Sequence, residues 1–263
     1  MDFHVLIPAR LESSRLKNKM LLDLQGVPLV IRTAQQALKS VAKQVCIATD
    51  NEQIAALAQA HNIKHVLTRN HETGTDRLAE AAQILGLPTD AIIVNVQGDE
   101  PLIDPELINA VAQQLHGSQA NMATAAAPIE QRAQLFNPNT VKVVCDFKQQ
   151  ALYFSRAPIP WERNDDDTHN WSQAVSDLDQ PAPAQALHHI GIYAYRNAFL
   201  QRFPTLAPGT LERLESLEQL RALEHGEVIR VHHWHKAPTL GIDTAKDLAQ
   251  VRNLLAQKNT SNS

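Results

Sequence analysis

Short apolar runs at 3–8, 44–49, 64–68 and 91–96 alternate with stretches at 28–39, 51–61 and 75–85 whose apolar positions recur at helical spacing. Strands of four to six apolar residues separated by amphipathic helices predict a mostly parallel sheet, so the first half reads as α/β. In such a sheet ligands bind beyond the carboxyl ends of the strands. The polar segments that follow the runs, Arg10 to Lys19, Asp50, Arg69 to Arg77 and Gln97 to Glu100, are therefore where a site is expected.

From about residue 120 the rhythm changes. Runs at 121–128, 140–147 and 150–155 follow one another without helical stretches, which predicts a mixed sheet or a small antiparallel lobe. Residues 161–187 show no period, carry Asp165, Asp166 and Asp167, and are broken by Pro181 and Pro183, so they read as a solvated loop. A calcium loop there lacks the EF-hand spacing and its closing glutamate. A strand at 188–195 precedes a helix over 211–224, in which Leu211, Leu214, Leu217, Leu220 and Leu223 form a core stripe. A strand at 227–234, a turn at Gly241 to Thr244, a helix to about 257 and a polar, frayed tail complete the reading.

Composition narrows the function classes. The 263 residues are 44% apolar and 20% charged, ordinary for a globular chain with room for a substantial core. A net charge of −4 supplies no basic field for nucleic acid. No apolar run approaches the roughly 18 residues of a membrane span, and no basic-then-apolar leader opens the sequence, so a cytoplasmic protein is expected. Cys46 and Cys145 lack metal-like spacing and sit in apolar runs as reduced thiols. The nine glycines compose neither GxGxxG nor a Walker loop, which removes dinucleotide and P-loop chemistry.

Three features carry candidate chemistry. Between Pro8 and Lys19 lie four basic residues and one acid, a local charge of +3 on an acidic chain. Arg10, Arg15 and Lys19 can hold a triphosphate, though a solvated basic loop has the same composition. Val94 to Val96 deliver Asp99 and Glu100 to a strand end before Pro101. Asp99 is a Mg²⁺ candidate, with Asp243 as a possible second ligand, whereas a plain turn before a helix near Pro105 is the bland alternative. Thr244 and Asp247 also form a capping box. Glu212 and Glu215 share a helix face and suit either sugar hydroxyls or the helix dipole. The clusters His188-His189 and His232-His233-Trp234-His235 invite zinc, but strand alternation splits them between faces.

Taken together, the basic loop, Thr73-Gly74-Thr75-Asp76-Arg77, Val94 to Pro101, Tyr153-Phe154-Ser155-Arg156, His189 to Tyr193, Leu211-Glu212 with Glu215 to Leu220, and Gly241-Ile242-Asp243-Thr244 resemble the 3-deoxy-manno-octulosonate cytidylyltransferases, the CMP-Kdo synthetases. The resemblance runs in order along nearly the whole chain. It implies a nucleotide-diphospho-sugar transferase-like mixed sheet with a Rossmann-like N-terminal half and helices on both faces. It also implies one cytidylyltransferase domain over 1–257, with a nucleotide half at 1–120, a sugar-binding and dimerisation half at 121–257, and a tail at 258–263. The implied enzyme is a homodimer that uses CTP, Mg²⁺ and 3-deoxy-manno-octulosonate (Kdo) for lipopolysaccharide synthesis. By resemblance Ala9, Arg10, Ser13, Arg15, Lys19, Gly74, Thr75, Arg77 and Asp99 would meet the nucleotide. Gln97, Arg156, His189, Tyr193, Glu212 and Glu215 would line a sugar-acid pocket, and Asp99 and Asp243 would hold Mg²⁺. Arg15, Lys19, Asp99 and Asp243 would carry catalysis. Where the family has Pro-Gly before the loop lysine and Pro after it, this chain has Lys17-Asn18 and Met20, and Asn18 tolerates a left-handed backbone. Related alternatives are activation of a sialic acid or amino-Kdo, and a nucleotide-binding module without turnover.

Overall fold

The computed structural model describes residues 1–13, 15–161 and 178–261. Met1–Gly117, Ile192–Thr205 and Thr239–Ser263 form one compact unit, and Ser118–Gly191 with Leu206–Pro238 form a second. The acidic triplet at 165–167 lies outside the described residues.

In the first unit β1 (Phe3–Ala9) is central, parallel to both β2 (Gln44–Thr49) and β4 (Ile92–Asn95), and β3 (Lys64–Leu67) is parallel to β2. The end of β8 (Leu187–Arg196) runs antiparallel to β4 with Asn95 opposite Tyr193, which makes the sheet mixed. Phe3, Val5, Leu6 and Ile7 are fully buried. That is the pattern of a strand covered on both faces, where continuous apolar residues rather than alternation are required.

The helices start where local chemistry satisfies their first N–H groups. Asn51 accepts from the Gln53 and Ile54 amides before α2 (Glu52–Ala60), and Thr73 accepts from the Asp76 amide before α3 (Gly74–Ile84). Asp104 accepts from the Glu106 amide before α4 (Pro105–His116), whose first residue is proline. Here the helix numbered α1 is Leu29–Ala37. Because β1, β2, β3 and β4 are parallel, their carboxyl ends share one edge of the sheet.

The second unit holds β5 (Met122–Pro128) parallel to β9 (Ile229–His233), and a hairpin of β6 (Lys142–Cys145) and β7 (Ala151–Ser155). Short helices α5 (Arg132–Phe136) and, back in the first unit, α6 (Asn197–Arg202) have too few residues to show a period in sequence.

The single helix expected over 211–224 is instead α7 (Thr210–Glu215) and α8 (Gln219–Glu224), separated by Ser216 in left-handed conformation at φ 51°. Leucines every third residue slip by about 60° per step around a 3.6-residue helix, so no single face could bury all five. The break resets the phase: Leu214 is 77% exposed while Leu217 and Leu220 are buried. The closing helix α9 spans Ala245–Ser261, beyond the expected stop near 257 and into the segment read as a frayed tail. Val251 and Leu255 on α9 pack with Leu24, Leu29 and Ile242.

Candidate active site

Beyond the shared carboxyl edge of β1, β3 and β4 lies a cavity of about 230 Å³. It gathers Ala9, Arg10, Ser13, Arg15 and Lys19 from after β1, Gly74 and Arg77 from α3, Gln97 and Asp99 from after β4, and Asp243 from before α9. Glu12, His71 and Glu72 also line it.

Lys19 is the hub. Its Nζ donates to Asp99 Oδ2 at 2.6 Å and to Asp243 Oδ1 at 3.0 Å, bridging acids 144 positions apart in sequence. Two backbone devices create this convergence. Asn18 takes φ 52°, turning the chain into the short helical turn at Lys19–Leu21. The Ile242 amide donates to the Asp99 carbonyl at 3.0 Å, while the Ile242 side chain is buried, so the residue before Asp243 is pinned beside Asp99. The Asp243 side chain remains available because the helix is capped by others. Thr244 Oγ1 accepts from the Asp247 amide, and Asp247 Oδ2 accepts from the amides of Thr244 and Asp243.

Burial alone would pull the Lys19 ammonium down, but Asp99 and Asp243 outweigh it and its pKa is raised. Glu100, adjacent in sequence, behaves oppositely. Burial, then the charge of Asp99, push its carboxyl up to about 8, and Thr239 Oγ1 lies 3.2 Å from Oε2. Burial thus favours the neutral form of Glu100. Arg15 reaches Asp243 at 3.1 Å, but its side chain is 63% exposed, so this contact is screened and easily exchanged.

The remaining cavity residues divide by charge. Arg77 is almost wholly buried, with Nη2 donating to Asp50 and Nη1 to Thr68, so its cation is internally balanced. Thr75 is buried in the first turn of α3 and is not part of the lining. Gly98 allows an approach between protein segments rather than to a ligand: a Cβ there would meet Met20 Sδ at 2.9 Å and the Pro8 carbonyl at 3.0 Å. Sequence reasoning missed the burial of Glu100 and passed over His71, although His71 follows β3 in one of the segments marked for search.

Of the residues expected to meet the sugar acid, Gln97 lines this cavity and Tyr193 lies on β8 in the same unit. Arg156, His189, Glu212 and Glu215 belong to the second unit. Glu215 accepts from Ser155 Oγ at 2.6 Å, the Arg156 amide at 2.9 Å and Tyr153 Oη at 3.2 Å. Burial raises its carboxyl, but these donors outweigh burial and hold it below the usual range. Glu212 forms a two-point pair with the buried Arg221. His189 is buried 3.0 Å from Thr124 Oγ1, and burial followed by the neighbouring His188 lowers its pKa to about 3. Among the described residues, no cluster of three or more His, Cys, Asp or Glu is placed to hold a metal. Among the same residues no helix is long and apolar enough to cross a membrane.

Comparison with known proteins decides the family. The cytidylyltransferase family profile matches residues 4–229. A 3-deoxy-manno-octulosonate cytidylyltransferase from Herminiimonas arsenicoxydans is 51% identical over 98% of this chain and 100% of its own length. The chain belongs to the 3-deoxy-manno-octulosonate cytidylyltransferase family. A solved CMP:2-keto-3-deoxy-manno-octonic acid synthetase complexed with CTP superposes with a TM-score of 0.85 at 38% identity, covering 98% of this chain and 99% of that one. A cytidylyltransferase from Leptospira borgpetersenii, 14% identical over 98% of this chain and 95% of its own, shares the fold at a TM-score of 0.56. As a cytidylyltransferase the chain is a nucleotidyltransferase enzyme, and its mixed α/β fold is that of a nucleotide-sugar transferase.

Proposed function

We propose that this cytidylyltransferase transfers CMP from CTP to Kdo, forming CMP-Kdo and pyrophosphate for lipopolysaccharide synthesis. The observation that carries the reading is the meeting of Asp99 and Asp243 on one cation beside the Arg10 to Lys19 loop. In this reading Arg10, Arg15 and Lys19 hold the triphosphate, with Ala9, Ser13, Gly74 and Arg77 around the nucleotide, while Thr75 is buried behind the lining. Gln97, which lines the cavity, and Tyr193 of the same unit serve the sugar acid. The 2-hydroxyl oxygen of the sugar forms a bond to the α-phosphorus as the bond to pyrophosphate breaks, and the hydroxyl proton passes to solvent. The basic loop offsets charge growing on the leaving group, and it removes much of the repulsion between two anionic substrates.

The donor set fits Mg²⁺. Two carboxylates already converge on a cation, and hard oxygen donors completed by phosphate and water are what this ion prefers. Asp99 and Asp243 would hold it. When bound, the ion would supply charge neutralisation and Lewis-acid polarisation. The enzyme is proposed to act as a cytoplasmic homodimer, which light scattering checks separately.

Pyrophosphate release with CTP, Mg²⁺ and Kdo tests the reading, with products identified by mass and with sialic acid and amino-Kdo as rival acceptors. Turnover with Kdo that collapses in Asp99→Ala is the expected result. Faster turnover with a rival sugar would reassign the acceptor, and CTP binding without release would leave only a nucleotide-binding module.

A further inference from the structure

One element of the nucleotide cavity has no role in the reading above: the loop between β3 and α3, and the acid that holds it. Glu80, on α3, receives the Arg69 amide at 2.9 Å, Arg69 Nε at 2.9 Å and His71 Nε2 at 2.5 Å. One carboxylate thus fastens both ends of the segment 69–71. The side chains of Glu80 and His71 are only 15% and 17% exposed, and the donors hold the Glu80 carboxyl below its ordinary range against the opposing effect of burial. In the neutral ring such an acceptor fixes the proton on Nε2. Nδ1 is left as an acceptor, with no partner among the described residues, on a ring that lines the cavity.

The cavity's charge distribution says which part of a nucleotide lies near this ring. The exposed cations of the cavity, Arg10 and Arg15, sit on the loop after β1 together with Lys19, which is shared by Asp99 and Asp243, and that loop is where a polyphosphate belongs. Among the lining residues that follow β3 the cation is Arg77, and it is buried and paired with Asp50. An uncharged heterocycle suits that part of the lining.

Resting on the proposed CTP-dependent reaction, we infer that His71 selects the base, accepting a hydrogen bond from an exocyclic amine through Nδ1, with Glu80 as its positioning residue. Cytosine presents an amine at position 4 where uracil presents a carbonyl. An acceptor facing that carbonyl is repelled, so the contact rewards CTP and penalises UTP. A site built around one hydrogen-bonding group discriminates strongly against its replacement.

Calorimetry with CTP and with UTP, without any sugar, tests this on the full chain. Wild type is expected to favour CTP. His71→Ala and His71→Phe should each cut the ratio of CTP to UTP affinity by about tenfold or more, mainly through weaker CTP binding. Glu80→Ala should lower the ratio as well, and Glu80→Gln, whose amide oxygen can still accept from Nε2, should restore most of it. His71→Phe keeps a ring in place, so a folding defect in the alanine variant does not blunt the test. A CTP preference retained in both His71 variants, or equal losses for the two nucleotides, overturns the inference while leaving the cytidylyl reaction intact. A wild-type chain with no preference for CTP overturns both.

Discussion

Acidic side chains do opposite work in the two units. Asp99 and Asp243 meet a lysine and an arginine that are themselves suited to other partners, and Asp243 and Arg15 are 48% and 63% exposed at their side chains. Glu215 instead collects three donors from β7 and the residue after it, and Glu212 is locked to a buried arginine. In the first arrangement Arg15 and Asp243 are exposed, so an incoming anion and cation can replace their contact at small cost, around a buried Lys19 held to Asp99 at 2.6 Å. The second satisfies its acids with short, oriented bonds whose loss exposes several unpaired donors. Substitutions should therefore separate activity from stability differently in each unit.

The largest effect is expected at Asp99. Asp99→Ala should lower turnover by about 10³-fold, the scale on which removal of a single electrostatic stabiliser acts. Its melting temperature should stay close to wild type, because Lys19 retains Asp243. A variant that loses activity only in proportion to lost fold would break the contrast. Glu215→Ala should show the reverse emphasis, costing about 3 kcal/mol in urea unfolding as the Ser155, Tyr153 and Arg156 donors lose their acceptor. Glu215→Gln, which still accepts, should recover part of it.

The contrast was only partly readable in the sequence. Strand-end segments are legible because parallel strands deliver polar residues to one edge, and this marks Arg10, Lys19 and Asp99. The approach of Asp243 is not, since it depends on Ile242 being buried and bonded to the Asp99 backbone, a tertiary fact with no local signature. Asn18 shows how local chemistry substitutes for family punctuation: it adopts the left-handed turn without glycine. The leucine series over 211–223 misled because spacing by three mimics a helical stripe over two turns but rotates off it over four. The state of Glu100 was hidden because its burial, rather than its type, decides its charge.

A smaller effect should appear with acid. The folded pKa of His189, about 3, lies below the ordinary value, so its neutral form is favoured by folding. That stability is fully present above about pH 6.5 and is lost as pH falls toward 3, amounting to about 2 kcal/mol at pH 5. Urea unfolding of wild type and His189→Gln at pH 7 and pH 5 measures it. The wild type should lose about 2 kcal/mol more than the variant between the two. Equal losses would place the acid sensitivity of this unit elsewhere.

The finest division falls at Thr244. Its hydroxyl caps α9, and the neighbouring Asp243 side chain points to Lys19, so one residue serves the helix and the next serves the site. Thr244→Ala should cost about 1 kcal/mol, the usual worth of such a cap. Activity should fall only a few-fold, since Ile242 still fastens the turn to the Asp99 backbone. Thr244→Ser should restore both. If Thr244→Ala instead lost as much turnover as Asp99→Ala at unchanged stability, positioning of Asp243 would depend on the cap rather than on the Ile242 bond. The separation between exchangeable side-chain contacts and a fixed backbone frame would then have to be redrawn.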